Sequence, residues 1–152
     1  MTATSRLPAS ILRLTLLCGT LDIVYAIIVS LIRGRTALGV LHSVASGPFG
    51  DAAKTWGWPG GALGLAVHYS IMAVMVGVYL AIVPRLAALR SLSPWLLGIA
   101  YGVVSYLVMY DVVLALRWPA NFPQTDPLLI AIGIFPHLFF VGLPVAFATR
   151  RS

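Results

Sequence analysis

The chain has 152 residues, of which 60% are hydrophobic and only 9% charged, against roughly 25% charged in an average soluble domain. A surface with so few charges excludes a soluble fold of this size. The excess of ten Lys and Arg over four acidic residues, all of them Asp, does not make a nucleic-acid surface either. The basic residues sit at the ends of apolar runs, form no stripe and have no interleaved aromatics, which points to membrane topology and anionic lipid headgroups.

The first apolar run, residues 11–32, is long enough to cross a bilayer, which takes about 20 residues. It holds the sole cysteine, Cys18. One cysteine excludes an internal disulfide and a Cys-based zinc site, and Leu17 before it does not suit a lipoprotein site, so Cys18 reads as packing. Arg6 ahead of the run imitates a signal peptide. The span length, Asp22 near its middle, and Arg33 and Arg35 at its end predict an uncleaved first helix instead.

The loop that follows, residues 33–60, is long for a small bundle. Leu38, Leu41 and Ala45 fall at helical spacing and predict a short helix over 37–46, lying in the interface or dipping into the bundle. Leu38 and Leu41 are its buried face, and His42 is expected to be exposed at the interface. The next residues, Gly47-Pro48-Phe49-Gly50-Asp51, are expected to turn. Span two is predicted over 61–83, with Trp56 and Trp58 before it at the headgroup level. Span three is predicted over 94–116, opened by Trp95 and followed by Trp118, and span four over 128–148. The proline-rich connection after span three reads as extended. No internal repeat and no separate soluble domain is visible. The fold expected is therefore all-α, a single four-helix transmembrane bundle with a short interfacial or re-entrant helix in its first loop.

An even span count puts both termini on one side. That side carries Arg6, Arg13, Arg85, Arg90, Arg150 and Arg151, and the other Arg33, Arg35, Lys54 and Arg117. The balance favours both termini in the cytoplasm.

Within the spans, small residues at Gly60-x-x-x-Gly64 and Gly98-x-x-x-Gly102 allow close helix contact. Met72, Met75 and Met109 read as core filler. Pro136 leaves the Ile132 carbonyl without its helical partner and Pro144 does the same for Phe140, so each predicts a kink.

The residues with chemical potential are Asp22, His68, Asp111 and His137, one per span. At about 1.5 Å of rise per residue they lie about 7 to 15 Å in from the end opposite the termini. A titratable group at that depth faces the bundle interior and a partner. Cys18, Asp22 and Tyr25 share a face, and glycines one turn before His68 and His137 leave room for neighbouring helices. Asp22, His68 and His137 are thus expected to form one buried polar cluster, with Tyr25 and Asp111 as further candidates. Asp111 fits less well, since it points about 180° from Gly102 and toward the surface near Arg117.

These stretches together, GTLDIVYA, LHSVASGPFG, GLAVHYSIM, AYGVVSYLVMYDVVLAL and PHLFFVGLPVAF, resemble a group of uncharacterised bacterial four-span inner-membrane proteins. The resemblance covers nearly the whole chain. By it, Gly19, Asp22, Ser46, Gly47, His68, Tyr101, Gly102, Met109, His137, Gly142, Leu143 and Pro144 match the group's pattern. Span three departs from that pattern at Tyr110, Asp111 and Ala115. The resemblance implies architecture and a bacterial inner membrane, and no particular activity.

Three functions fit these residues. The first is a non-enzymatic accessory or structural membrane component, with lipids and either a second copy or another membrane protein as partners and no nucleic acid. The second is a conduit or carrier for protons or a small solute that uses Asp22, His68 and His137. The third is a haem or metal redox protein with His68 and His137 as ligands and Arg33, Arg35 and Arg117 near the propionates. No cofactor is expected under the first two. No phosphate-binding glycine loop, nucleotide fingerprint, H-E-x-x-H or solvent-side Ser-His-Asp pattern marks an enzyme. Four spans are few for an alternating-access transporter.

Overall fold

A computed structural model describes residues 3–150, with side chains for 10–149. Arg6, Arg150 and Arg151, which weigh in the arginine balance, have side chains outside the described residues. Helix α1 runs Ala3–Ile32, α2 Ala37–Phe49 and α3 Gly57–Ile82. A short inner helix, α4, covers Ala87–Arg90. Span three is built from α5 (Pro94–Leu107), a π segment (Val108–Val113) and α6 (Leu114–Arg117). Span four is α7 (Pro127–Pro136), a second π segment (His137–Gly142) and α8 (Leu143–Arg150). Four helical stretches are long and apolar enough to cross a membrane: Ser10–Ile32, Gly57–Arg85, Pro94–Arg117 and Pro127–Thr149.

Local chemistry sets several of these starts. The side chains of Thr36, Ser93 and Asp126 accept hydrogen bonds from the first free N–H groups of α2, α5 and α7. Pro94 and Pro127 stand in the first turn, where a missing N–H costs nothing.

Apolar side chains cover the outside of the bundle. Leu12, Leu16, Val24, Ile28 and Leu31 of α1 are exposed, as are Val74, Val104 and Leu116 of other spans. Water would not tolerate so continuous an apolar girdle, whereas lipid tails cover it. This is a multi-pass membrane protein, an all-α four-helix bundle. Its core is packed from Cys18, Met72, Val76, Tyr79, Leu97, Val141 and Val145.

Glycines set the closest approaches. A Cβ on Gly142 would strike the Gly98 carbonyl, and one on Gly102 would lie 2.6 Å from the His137 carbonyl oxygen. Spans three and four therefore pack main chain against main chain. Spans two and three meet at Tyr101, whose hydroxyl donates to the Met75 carbonyl at 2.5 Å and whose ring stands edge-on to Tyr79.

The first loop differs from its sequence reading. Helix α2 continues through Gly47 and Pro48 to Phe49, and the turn falls at Gly50, where φ is 79°. Its final carbonyls are held from outside: Arg117 Nε donates to Ser46 O at 3.2 Å and to Gly47 O at 3.3 Å. With those acceptors satisfied, the helix extends past the predicted turn. Helix α2 crosses the first turns of α3 with the Leu41 carbonyl directly against Gly64 and the Leu38 side chain against Gly61. It thereby packs on the outer end of span two and against span one, where "outer" denotes the end opposite the termini, and span three reaches it through Arg117. His42 is half-buried rather than exposed, because its Nε2 donates to the Gly57 carbonyl at 2.7 Å.

Span four holds a π segment between its two prolines. It starts one residue after Pro136 and ends two residues before Pro144. The wider turn lies over the carbonyl of Phe140, which a proline at 144 would strike in a regular helix.

Candidate functional site

The polar side chains meet below α2, in the outer half of the bundle. His68 of α3 is buried, and its Nε2 lies 2.8 Å from the Gly19 carbonyl oxygen of α1. A carbonyl only accepts, so Nε2 carries the hydrogen. The neutral ring then presents a lone pair at Nδ1, which faces Asp22 Oδ2 at 3.9 Å. That separation is too long for a hydrogen bond, and among the described residues the carboxylate accepts none. The Asp22 carboxyl and the His68 ring therefore face each other without a direct hydrogen bond. The Asp22 side chain is 20% exposed.

His137, on the second π segment, is also buried, and its Nδ1 donates to the Gly133 carbonyl one turn earlier at 2.9 Å. Its neutral ring keeps a lone pair at Nε2. Asp22 lies within electrostatic reach of both His137 and His68. Tyr106 and Tyr110 approach the His137 ring edge-on, each with centroids 5.8 Å away. Tyr25 stacks on Phe135 and donates from its hydroxyl to the Ile132 carbonyl at 3.1 Å. The structure thus brings Asp22 and His68 together, with His137 within electrostatic reach of Asp22.

Asp111 lies elsewhere. It is exposed on the first π segment, and among the described residues it makes no ion pair. Arg117 turns instead to Asp51, at 3.3 Å, and to the end of α2. Span three reaches the cluster through Tyr106 and Tyr110, which the sequence reading passed over. Their signal was present in the i, i+4 tyrosine pair and in Gly133, where a Cβ would fall 2.9 Å from the Tyr110 ring.

His68 has Nε2 committed to Gly19 and Nδ1 turned to a carboxylate, and Arg117 is engaged with α2 and Asp51. Among the described residues no three His, Cys, Asp or Glu side chains converge as a metal site.

Comparison with protein-family models, with curated proteins and with solved structures gives no match.

Proposed function

We propose that the protein is a non-enzymatic structural or accessory component of the bacterial inner membrane, with both termini in the cytoplasm and the Asp22–His68–His137 cluster serving to fix the bundle. One observation carries this reading: three interior side chains donate to main-chain carbonyls of neighbouring helices. His68 ties span two to Gly19 of span one, and Tyr25 ties span one to Ile132 of span four. Tyr101 ties span three to Met75 of span two. Bonds of this kind set helix packing in a membrane. The arginine balance and the resemblance to bacterial four-span proteins support the location, and the exposed apolar girdle leaves room for a second copy or another membrane protein beside lipid.

A second reading, a proton conduit or carrier, is favoured by Asp22, a carboxylate without a hydrogen bond that faces an imidazole lone pair. Proteoliposomes under a pH gradient decide between the two. Under the first reading, liposomes holding the wild-type protein keep the gradient as long as empty ones, and Asp22→Asn changes only thermal stability. Proton flux that disappears in Asp22→Asn would replace the first reading with the second.

A further inference from the structure

At the inner end, opposite the polar cluster, the bundle contains a half-open cavity of about 210 Å³. That is room for about seven waters at about 30 Å³ each. Its walls are Val83 from the end of span two, Leu89 from α4, Leu97 from span three and Ala146 from span four. Arg90 and Thr149 are the polar side chains among the lining residues. The Thr149 hydroxyl already donates within its own helix, to Val145 and Ala146. Arg90 is exposed and, among the described residues, makes no hydrogen bond or ion pair from its guanidinium. Its neighbour Arg85 differs, since Nη1 of that residue is turned back onto the Ala81 carbonyl.

Two further observations define what this cavity fits. All four acidic residues of the chain, Asp22, Asp51, Asp111 and Asp126, lie in the spans or on outer connections, so no acidic side chain at the inner end competes with an anion for Arg90. Trp95, 62% exposed and packed edge-on against Phe147 at 5.0 Å, marks the same end as headgroup level. The cavity is therefore apolar inside, carries an unengaged guanidinium at its mouth and opens where a bilayer changes from tails to phosphates.

We propose that this cavity is a binding site for one anionic glycerophospholipid, with the phosphate on Arg90 and the first part of an acyl chain between Leu89, Leu97 and Ala146. A guanidinium offers five N–H donors in a geometry that suits phosphate oxygens. The cavity walls supply the apolar surface that a free phosphate would not use. The site is independent of the Asp–His cluster and of the membrane orientation, because both leaflets present phosphates.

Native mass spectrometry of the full-length protein, released from detergent after addition of equimolar phosphatidylglycerol and phosphatidylcholine, tests this. The expected result is a one-to-one phosphatidylglycerol adduct that survives activation better than the phosphatidylcholine adduct. Arg90→Gln lowers its retention about tenfold, the loss of one charge-assisted contact. Arg85→Gln leaves it unchanged. Leu89→Trp, which fills the cavity, removes it while Arg90 remains. Glycerol 3-phosphate at the same concentration fails to displace the lipid. Equal loss in Arg85→Gln and Arg90→Gln would show diffuse charge attraction and overturn the site. So would equal retention of the two lipids, or displacement by glycerol 3-phosphate, which would make it a site for free anions.

Discussion

The hydroxyl of Tyr25 donates at 3.1 Å to the carbonyl of Ile132, the acceptor that Pro136 leaves without its own helical N–H. A proline in span four thus supplies the attachment point for a tyrosine in span one. Tyr25→Phe should lower the stability of the purified protein by about 1 kcal/mol, the usual worth of such a bond. Pro136→Ala gives Ile132 a helical partner, so Tyr25→Phe should cost less in that background. A double-mutant cycle from thermal unfolding in detergent checks it, and additive losses would disconnect the two residues.

Substitutions at His68 should separate donation from bulk. Gln retains an N–H for the Gly19 carbonyl and should unfold near the wild-type temperature. Leu gives up the hydrogen bond to the Gly19 carbonyl, at a cost of about 1 kcal/mol. For the same reason Asp22→Asn should keep the fold and Asp22→Leu should weaken it. Leu variants as stable as the wild type would remove the cluster's part in packing.

Gly64 tests the seat of α2. Any Cβ there meets the Leu41 carbonyl, which is main chain and cannot swing aside. Gly64→Ala should push α2 off α3, at about 1 to 3 kcal/mol for overpacking, and should raise hydrogen exchange in Ala37–Phe49. Gly77, with nothing within 4 Å of its added Cβ, is the control: Gly77→Ala should leave exchange in α2 unchanged.

The outer loop should respond to acid. The hydrogen bond and charge of Lys54, then Arg117, hold the Asp51 carboxyl below its ordinary value. A carboxylate with a depressed folded value stabilises the folded state above its unfolded pKa, near 4, and loses that contribution as pH falls through the folded value. The link from Asp51 to Arg117 should therefore be intact at neutral pH and loosen only below about pH 4. Asp51→Asn should abolish this acid step in hydrogen exchange of residues 46–55. Because the Asp51 side chain is 66% exposed, salt should weaken the step as well.

Membrane orientation is open to chemical labelling. With both termini cytoplasmic, an impermeant maleimide added outside intact cells should label a cysteine placed at Lys54 and spare one placed at Ser91. Native Cys18 is buried and should stay silent. The reverse pattern would invert the orientation.

The four spans were legible because length and apolar composition alone decide a crossing, and Trp95, Trp118 and the flanking prolines mark the ends. The 3.9 Å approach of Asp22 to His68 is consistent with the depth and helical face read from the sequence. What escaped was whatever depends on the main chain. Helical arithmetic assumes 100° per residue, and the π segment at Val108–Val113 breaks that count before Asp111 is reached. The sequence does announce Pro48 as a helix breaker. It does not announce that Arg117, about seventy positions away, caps the carbonyls beside it and lets α2 pass through.

The placement of α2 also fixes the protein's outline. At the outer end the 13-residue α2 packs beside the spans, whereas the inner end adds only the four-residue α4. With each helix about 10 Å across, the molecule tapers toward the end that carries its termini. A tapered inclusion displaces more area from one leaflet than from the other, so neighbouring lipids must splay on the narrow side or crowd on the wide one. Many copies set in one orientation would bend the sheet they sit in, and a curved membrane would in turn gather them.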